Sequence, residues 1–231
     1  MEETTKSGVR VNKYLADKGL ATRREADVLV TEGKVFVNGK KAVLGQKVTE
    51  KDKVEIRGKQ KDARYFLYNK PRGIVTTNPE TGEKDILRTS KFPVKVFPIG
   101  RLDKESTGLI IMTNDGRITK ELLSPEFEHE KEYAVSVDKL LRKDFRDKIE
   151  HGVKVPETSQ GKEGFISKPC KVKISGDKSF TIILTEGKNR QIRRMCEALG
   201  YKVTSLQRNR IGKFMLGHLK PGEWREIKGI K

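Results

Sequence analysis

Asp103 is the carboxylate whose surroundings suit chemistry. It stands in Gly100-Arg101-Leu102-Asp103-Lys104-Glu105-Ser106-Thr107-Gly108, a glycine-bounded turn leading into the apolar run Leu109-Ile110-Ile111-Met112. A neighbouring arginine could hold it as a charged carboxylate, poised as nucleophile or base. The same spacing also suits an aspartate that only closes a turn. Other reactive side chains are scattered: Cys170 and Cys196 lie outside any Cys-x-x-Cys pattern, and His129, His151 and His218 are far apart. That spacing gives no zinc-ligand set and argues against a disulfide framework. Neither a Gly-x-Gly-x-x-Gly run nor a phosphate-loop Gly-Lys-Ser/Thr occurs. No cofactor and no metal are therefore expected.

The charge balance points to a class of partner. The 231 residues include 50 Lys+Arg against 32 Asp+Glu, a formal net charge of +18 spread over both ends of the chain rather than gathered in a tail. A folded polycation of this kind suits nucleic acid; a merely solvated basic surface is the alternative. No apolar run approaches the roughly 18 residues of a membrane span, and the first ten residues are polar. The expectation is a cytoplasmic monomer with no membrane partner.

The elements that must position these groups follow from periodicity. Val11, Leu15 and Ala16 recur at helical spacing, and Thr22 can cap a second helix, Arg23 to Glu32, that turns Ala26, Leu29 and Val30 inward. Asn38-Gly39 predicts a tight hairpin turn. Arg23 and Arg24 then stand at a helix start, where free N–H groups also attract phosphate, and Lys34, Lys40 and Lys41 lie on the hairpin. A polar stretch, Arg57 to Arg64, reads as a linker, giving domains 1–60 and 61–231. Beyond it, strands are predicted at Tyr65 to Lys70, Gly73 to Thr77, Gly108 to Thr113, Tyr133 to Val137, Lys171 to Ile174 and Phe180 to Leu184. Helices are predicted around Ile118, Leu122 and Leu123, from Lys143 to Glu150, and from Asn189 to Leu199. On the last, Ile192, Met195, Cys196 and Leu199 form the apolar stripe, Arg193 borders it, and Arg190 and Arg194 point away.

Two resemblances cover nearly the whole chain. Val11-Asn12-Lys13-Tyr14-Leu15, Gly19 to Ala26 and Gly33 to Gly39 resemble the αL, or ribosomal protein S-four-like, RNA-binding module over residues 9 to 56. Gly100 to Gly116, Asn69-Lys70-Pro71-Arg72-Gly73, Glu130-Lys131-Glu132-Tyr133 and Gly187 to Met195 resemble, in the family's order, the motifs of the RsuA/RluB/RluE/RluF family of ribosomal RNA pseudouridine synthases. His129 to Tyr133 and the stretch from Asn189 through Arg225 look most like the RluF branch, which acts on large-subunit ribosomal RNA.

The resemblance implies an α+β chain: a small αL domain, then a mixed, mainly antiparallel sheet with flanking helices. It implies that Asp103 attacks the target uridine, at the ribose or at the ring, and that the uracil turns while bound and rejoins the sugar through carbon 5. Tyr133 would stack on the flipped base and help remove the carbon-5 proton. Arg193 would pair with Asp103, and Arg101 would fill the helix position the base leaves. Arg23, Arg24, Lys34, Lys40, Lys41, Arg190 and Arg194 are expected to contact phosphate of a folded stem-loop. A binder that uses only its basic surface, and a methyltransferase carrying the same module, are the other readings; the latter needs a glycine-rich nucleotide loop that this chain lacks.

Overall fold

The computed structural model of the chain describes residues 8–58, 62–119, 122, 129–159 and 161–230. Two compact units are present, Met1–Ala63 with Asp115–Glu121, and Arg64–Asn114 with Leu122–Lys231.

In the first unit Thr22 starts the helix Arg23–Thr31 through a capping box: Glu25 N–H donates to Thr22 Oγ1, and Thr22 N–H donates to Glu25 Oε2 at 2.8 Å. A helix Val11–Asp17 precedes it. The strands are β1 (Val9–Arg10), β2 (Val35–Val37), β3 (Lys40–Lys41), β4 (Lys47–Val48) and β5 (Val54–Ile56). They pair as β1–β4 and as a three-stranded sheet β3-β2-β5. Asn38 and Gly39 both take positive φ, 49° and 79°, as the predicted hairpin turn requires. Val11, Leu15, Ala26, Val30, Val35 and Val48 close a small apolar core.

The second unit is built on strands β6 (Tyr65–Lys70), β7 (Phe97–Ile99), β8 (Thr107–Thr113), β9 (Lys131–Val137), β10 (Lys154–Val155), β11 (Phe165–Ile166), β12 (Lys171–Gly176), β13 (Ser179–Leu184), β14 (Val203–Ile211), β15 (Phe214–Met215) and β16 (Trp224–Ile227). Their main sheet runs β12-β13-β9-β14-β8-β6-β16, with β15 on β14 and β7 on β8, while β10 and β11 pair separately. β14 and β8 run parallel and the other paired strands antiparallel, so the sheet is mixed and mainly antiparallel as expected. Helices Phe145–Glu150 and Gln191–Ala198 add Phe145, Ile149, Ile192, Met195 and Cys196 to the core beneath β9, β13 and β14. Each such buried side chain contributes about 1.5 to 3 kcal/mol of transfer free energy.

One sequence expectation fails here. Residues 73–77 do not form a strand; they make a single bridge, Val75 to Asp85. Side chains satisfy their surroundings instead. Thr76 Oγ1 donates to Leu102 O at 2.7 Å and accepts from Leu102 N–H at 3.1 Å, while buried Lys70 Nζ donates to Pro71 O, Ile74 O and Lys104 O. Gly73 N–H also donates to Lys104 O, at 2.9 Å. The turn carrying Asp103 is thus clamped at Leu102 and at Lys104 by one segment, 70–76. Around Ile118 the chain makes a short 3-10 turn, Gly116–Ile118, that Asp115 caps through Arg117 N–H, and the expected helix is seen at Thr119 and Leu122; Leu123 lies outside the described residues.

The clamp is testable by stability. Thr76→Val leaves both backbone groups of buried Leu102 without that partner and should lower the unfolding free energy by about 1 to 3 kcal/mol in urea melts, whereas Thr76→Ser should recover most of the loss. Lys70 is pulled down to about 8 by burial, against the opposing pull of Asp103 and Glu105. In the unfolded chain lysine titrates near 10.4, so between pH 8 and about 10.4 the unfolded state binds more protons and stability must rise with pH. Relative to Lys70→Met, the wild type should gain about 3 kcal/mol across that window; a difference independent of pH would overturn this reading of Lys70.

Candidate active site

Asp103 lies in the wall of a cavity of about 430 Å³ in the second unit. Arg101, Lys131, Tyr133, Arg190 and Arg208 line it too, above apolar walls from Ile111, Leu184, Ile192 and Leu206. The Asp103 side chain is 30 % exposed, so it is reachable from the cavity.

Two arginines approach its carboxylate. Arg193 Nε lies 3.9 Å from Asp103 Oδ2, and Arg190 Nη1 lies 3.7 Å from the same oxygen. Both distances are ion-pair contacts longer than a hydrogen bond, so the oxygens keep lone pairs available for attack. Arg193 is anchored elsewhere, donating to Val203 O and to the buried Ser106 Oγ, each at 3.2 Å. Burial and the neighbouring Arg190 charge pull its guanidinium below the ordinary arginine range, with Asp103 opposing.

Arg190 departs from the sequence reading, which placed it inside the helix and facing outward. The helix begins at Gln191, and Arg190 is its N-cap in the left-handed conformation, φ 50° and ψ 31°. That backbone turn sets the side chain beside Asp103. The breaker run Gly187-Lys188-Asn189 was the available signal for it. Arg101, expected as the neighbour able to hold Asp103, is exposed at the cavity edge and makes no ion pair among the described residues.

Arg194 is a correction. It does not face solvent phosphate: its side chain is buried and Nη2 donates to Pro156 O and Glu163 O at 2.9 and 2.8 Å. Its guanidinium also sits over the Phe165 ring, 4.8 Å from the centroid. Arg194 therefore fastens Pro156, Glu163 and Phe165 to the helix, where the helix wheel alone suggested open surface.

Tyr133 sits on β9 with Val135 and Val137 on the same buried face. It lies across from Arg208 on β14 and Ile182 on β13, and its hydroxyl has no hydrogen-bond partner among the described residues. Cys170 and Cys196 are pushed up to about 11 and about 12 by burial, which leaves them as thiols. No group of three or more His, Cys, Asp or Glu among the described residues is arranged to hold a metal ion.

In the first unit Arg23, Arg24, Lys40 and Lys41 are exposed. Lys34 is half-buried and engaged with Glu32 at 2.6 Å. Lys41 Nζ lies close to where a Cβ would stand on Gly33, at the end of the helix opposite to Arg23 and Arg24.

Comparison with known proteins agrees with this geometry. Residues 64–198 match the family model for RNA pseudouridylate synthase, and residues 9–54 match the S4 domain. The chain is 42 % identical, over 96 % of its length and 77 % of the relative's, to the dual-specificity RNA pseudouridine synthase RluF of Salmonella typhi. It is 37 % identical to ribosomal large subunit pseudouridine synthase B of Bacillus subtilis, over 94 % of this chain and 91 % of that one. A crystal structure of a pseudouridylate synthase superposes with TM-score 0.70 at 28 % identity, covering 95 % of this chain and 96 % of the other. With an S4 domain followed by a catalytic sheet, a cavity lined by the Arg-Leu-Asp turn, and this likeness along nearly the full chain, the protein belongs to the RNA pseudouridylate synthase family and is an RNA pseudouridine synthase.

Proposed function

We propose that the chain isomerises a specific uridine of large-subunit ribosomal RNA, with Asp103 as the attacking carboxylate. The observation that carries this is Asp103 in one cavity with Tyr133, beside two arginines that attract its charge without capping its oxygens. The target uridine turns out of the RNA into this cavity. Its ring lies on Tyr133, whose hydroxyl, unpartnered among the described residues, is the group available to assist loss of the carbon-5 proton late in the reaction. Arg193 and Arg190 orient the carboxylate, and the exposed Arg101 occupies the place the base leaves in the RNA helix. The reaction rearranges one nucleoside and consumes no donor.

Exposed Arg23, Arg24, Lys40 and Lys41 on the S4 domain hold phosphates of the folded RNA, with Lys34 contributing once it exchanges Glu32 for phosphate. The large-subunit target is supported by the name of the relative from Bacillus subtilis, and action on RNA by that of the relative from Salmonella typhi. A comparison of pseudouridine positions in RNA from cells with and without this gene tests it; loss confined to RNAs other than large-subunit ribosomal RNA would reassign the target.

Asp103→Asn should abolish pseudouridine formation and leave RNA affinity within a few-fold, because an amide cannot serve as nucleophile while many phosphate interactions carry binding. Turnover above about a tenth of wild type would remove Asp103 from that role. Replacing Arg23, Arg24, Lys40 and Lys41 together with Gln should flatten the plot of log affinity against log salt by about 0.7 to 0.9 for each phosphate that is no longer neutralised. An unchanged slope would mean that the S4 domain does not hold the RNA through these groups.

A further inference from the structure

Behind Tyr133 the cavity holds two cations that the reading above leaves unused. Arg208 is only 4 % exposed; its Nε donates to Leu109 O at 2.7 Å, and its Nη2 is buried with no acceptor among the described residues. Lys131 is half-buried and its Nζ donates to His129 O at 3.2 Å. Neither is ion-paired with a carboxylate among the described residues. The acids flanking Lys131 serve another partner: Glu130 and Glu132 hold Arg210 at 2.9 and 3.5 Å. Burial, and then the Arg208 charge, pulls Lys131 below the ordinary lysine range, so the two cations feel each other.

Their placement is fixed by the sheet. Arg208 is the cross-strand partner of Tyr133, and Lys131 is two residues before Tyr133 on the same strand, so all three project from one face. A ring stacked on Tyr133 therefore presents its edges to Arg208 and Lys131. Phosphates of the same nucleotide would meet the exposed Arg101 and Lys188 at the rim instead.

We propose that Lys131 and Arg208 are catalytic residues that hold the carbonyl oxygens of the extruded uracil and stabilise the negative charge that develops on it. The proposal rests on the assignment of Asp103 and Tyr133 above. When the bond from nitrogen 1 to the sugar breaks, its electron pair stays on uracil and spreads to the two carbonyl oxygens. Attack on the ring instead would load the carbon-4 oxygen. Carbon 5 then bonds to the sugar as the Asp103 oxygen leaves, the carbon-5 proton is lost, and nitrogen 1 gains a proton, so the step balances without a co-reactant. Two desolvated donors fixed before the charge appears cost little reorganisation when it does. The desolvation they carry in the cavity is repaid when charge develops next to them.

The test uses the full chain, single-turnover conditions, and two large-subunit RNA transcripts, one with uridine and one with 5-fluorouridine, whose fluorine stabilises the departing base by itself. Wild-type conversion of the uridine transcript checks the underlying assignment, and its absence would overturn that assignment rather than this inference. Lys131→Met and Arg208→Gln should each slow rearrangement of uridine by about 100-fold, with RNA affinity changed less than about threefold. Rearrangement of 5-fluorouridine to the carbon-linked product should be slowed much less. Lys131→Arg should restore most of the rate, which keeps the test open if Arg208→Gln fails to fold on loss of its bond to Leu109. Equal slowing on both transcripts would overturn the proposal. So would weaker RNA binding with a shallower salt dependence and an unchanged rate, the behaviour of a residue that only holds phosphate.

Discussion

The parallel pairing of β8 with β14 is the constraint on which the site depends. Parallel strands begin at the same edge of a sheet, so the turn before β8 and the helix before β14 must come together there. Asp103 is in that turn and Arg193 on that helix, 90 residues apart in the chain and in ion-pair contact in the fold. The pairing is possible because residue 108 has no side chain: a Cβ on Gly108 would stand 2.3 Å from Arg208 O and 2.6 Å from Arg208 N, and the residue's φ of +105° suits glycine alone. The glycine that ends the turn after Arg-Leu-Asp is thus what lets the aspartate meet its arginines, and it also sets Arg208 against the site.

The turn that bears Asp103 is irregular backbone inside a structured unit, and its rigidity comes from outside itself. Thr76 saturates both backbone groups of Leu102, and Lys70 with Gly73 holds the carbonyl of Lys104. Asp103 stands between these two fixed points. In the proposed role, a carboxylate that must meet a carbon atom within a few tenths of an ångström gains from such confinement, since misplacement costs rate steeply. Among the described residues Lys70 achieves this with no carboxylate partner, and its lowered affinity for a proton is the cost of that burial.

How much of this was legible in the sequence follows from the range of each interaction. Helix caps, the Asn-Gly hairpin and the alternating strands are local, so their residues announced them. Tyr133 was assigned to a buried face from alternation with Val135 and Val137, and it is there. The failures are long-range or conformational. Residues 73–77 carry β-branched side chains suited to a strand, but Thr76 spends its hydroxyl on a turn 26 residues away. Arg190 was misplaced because one left-handed residue before a helix redirects a side chain that a uniform wheel sends outward. Arg194 looked exposed on that wheel because nothing in the helix reveals the carbonyls of Pro156 and Glu163 that take its side chain.

Three cations of the catalytic unit share one device. Buried Lys70 and Arg208 and half-buried Lys131 are held by carbonyl oxygens, of Ile74, Leu109 and His129 among others. Other cations are paired with acids, as Arg72 is with Glu105 and Lys104 with Glu83. A carbonyl orients a cation and returns part of its lost hydration without cancelling its charge, whereas a carboxylate would neutralise it. The excess of positive charge therefore survives in the cavity, where the field acts through little water. Such a field draws in a polyanion and, in the reaction proposed above, favours each negative charge in turn, first on Asp103 and then on the base that leaves.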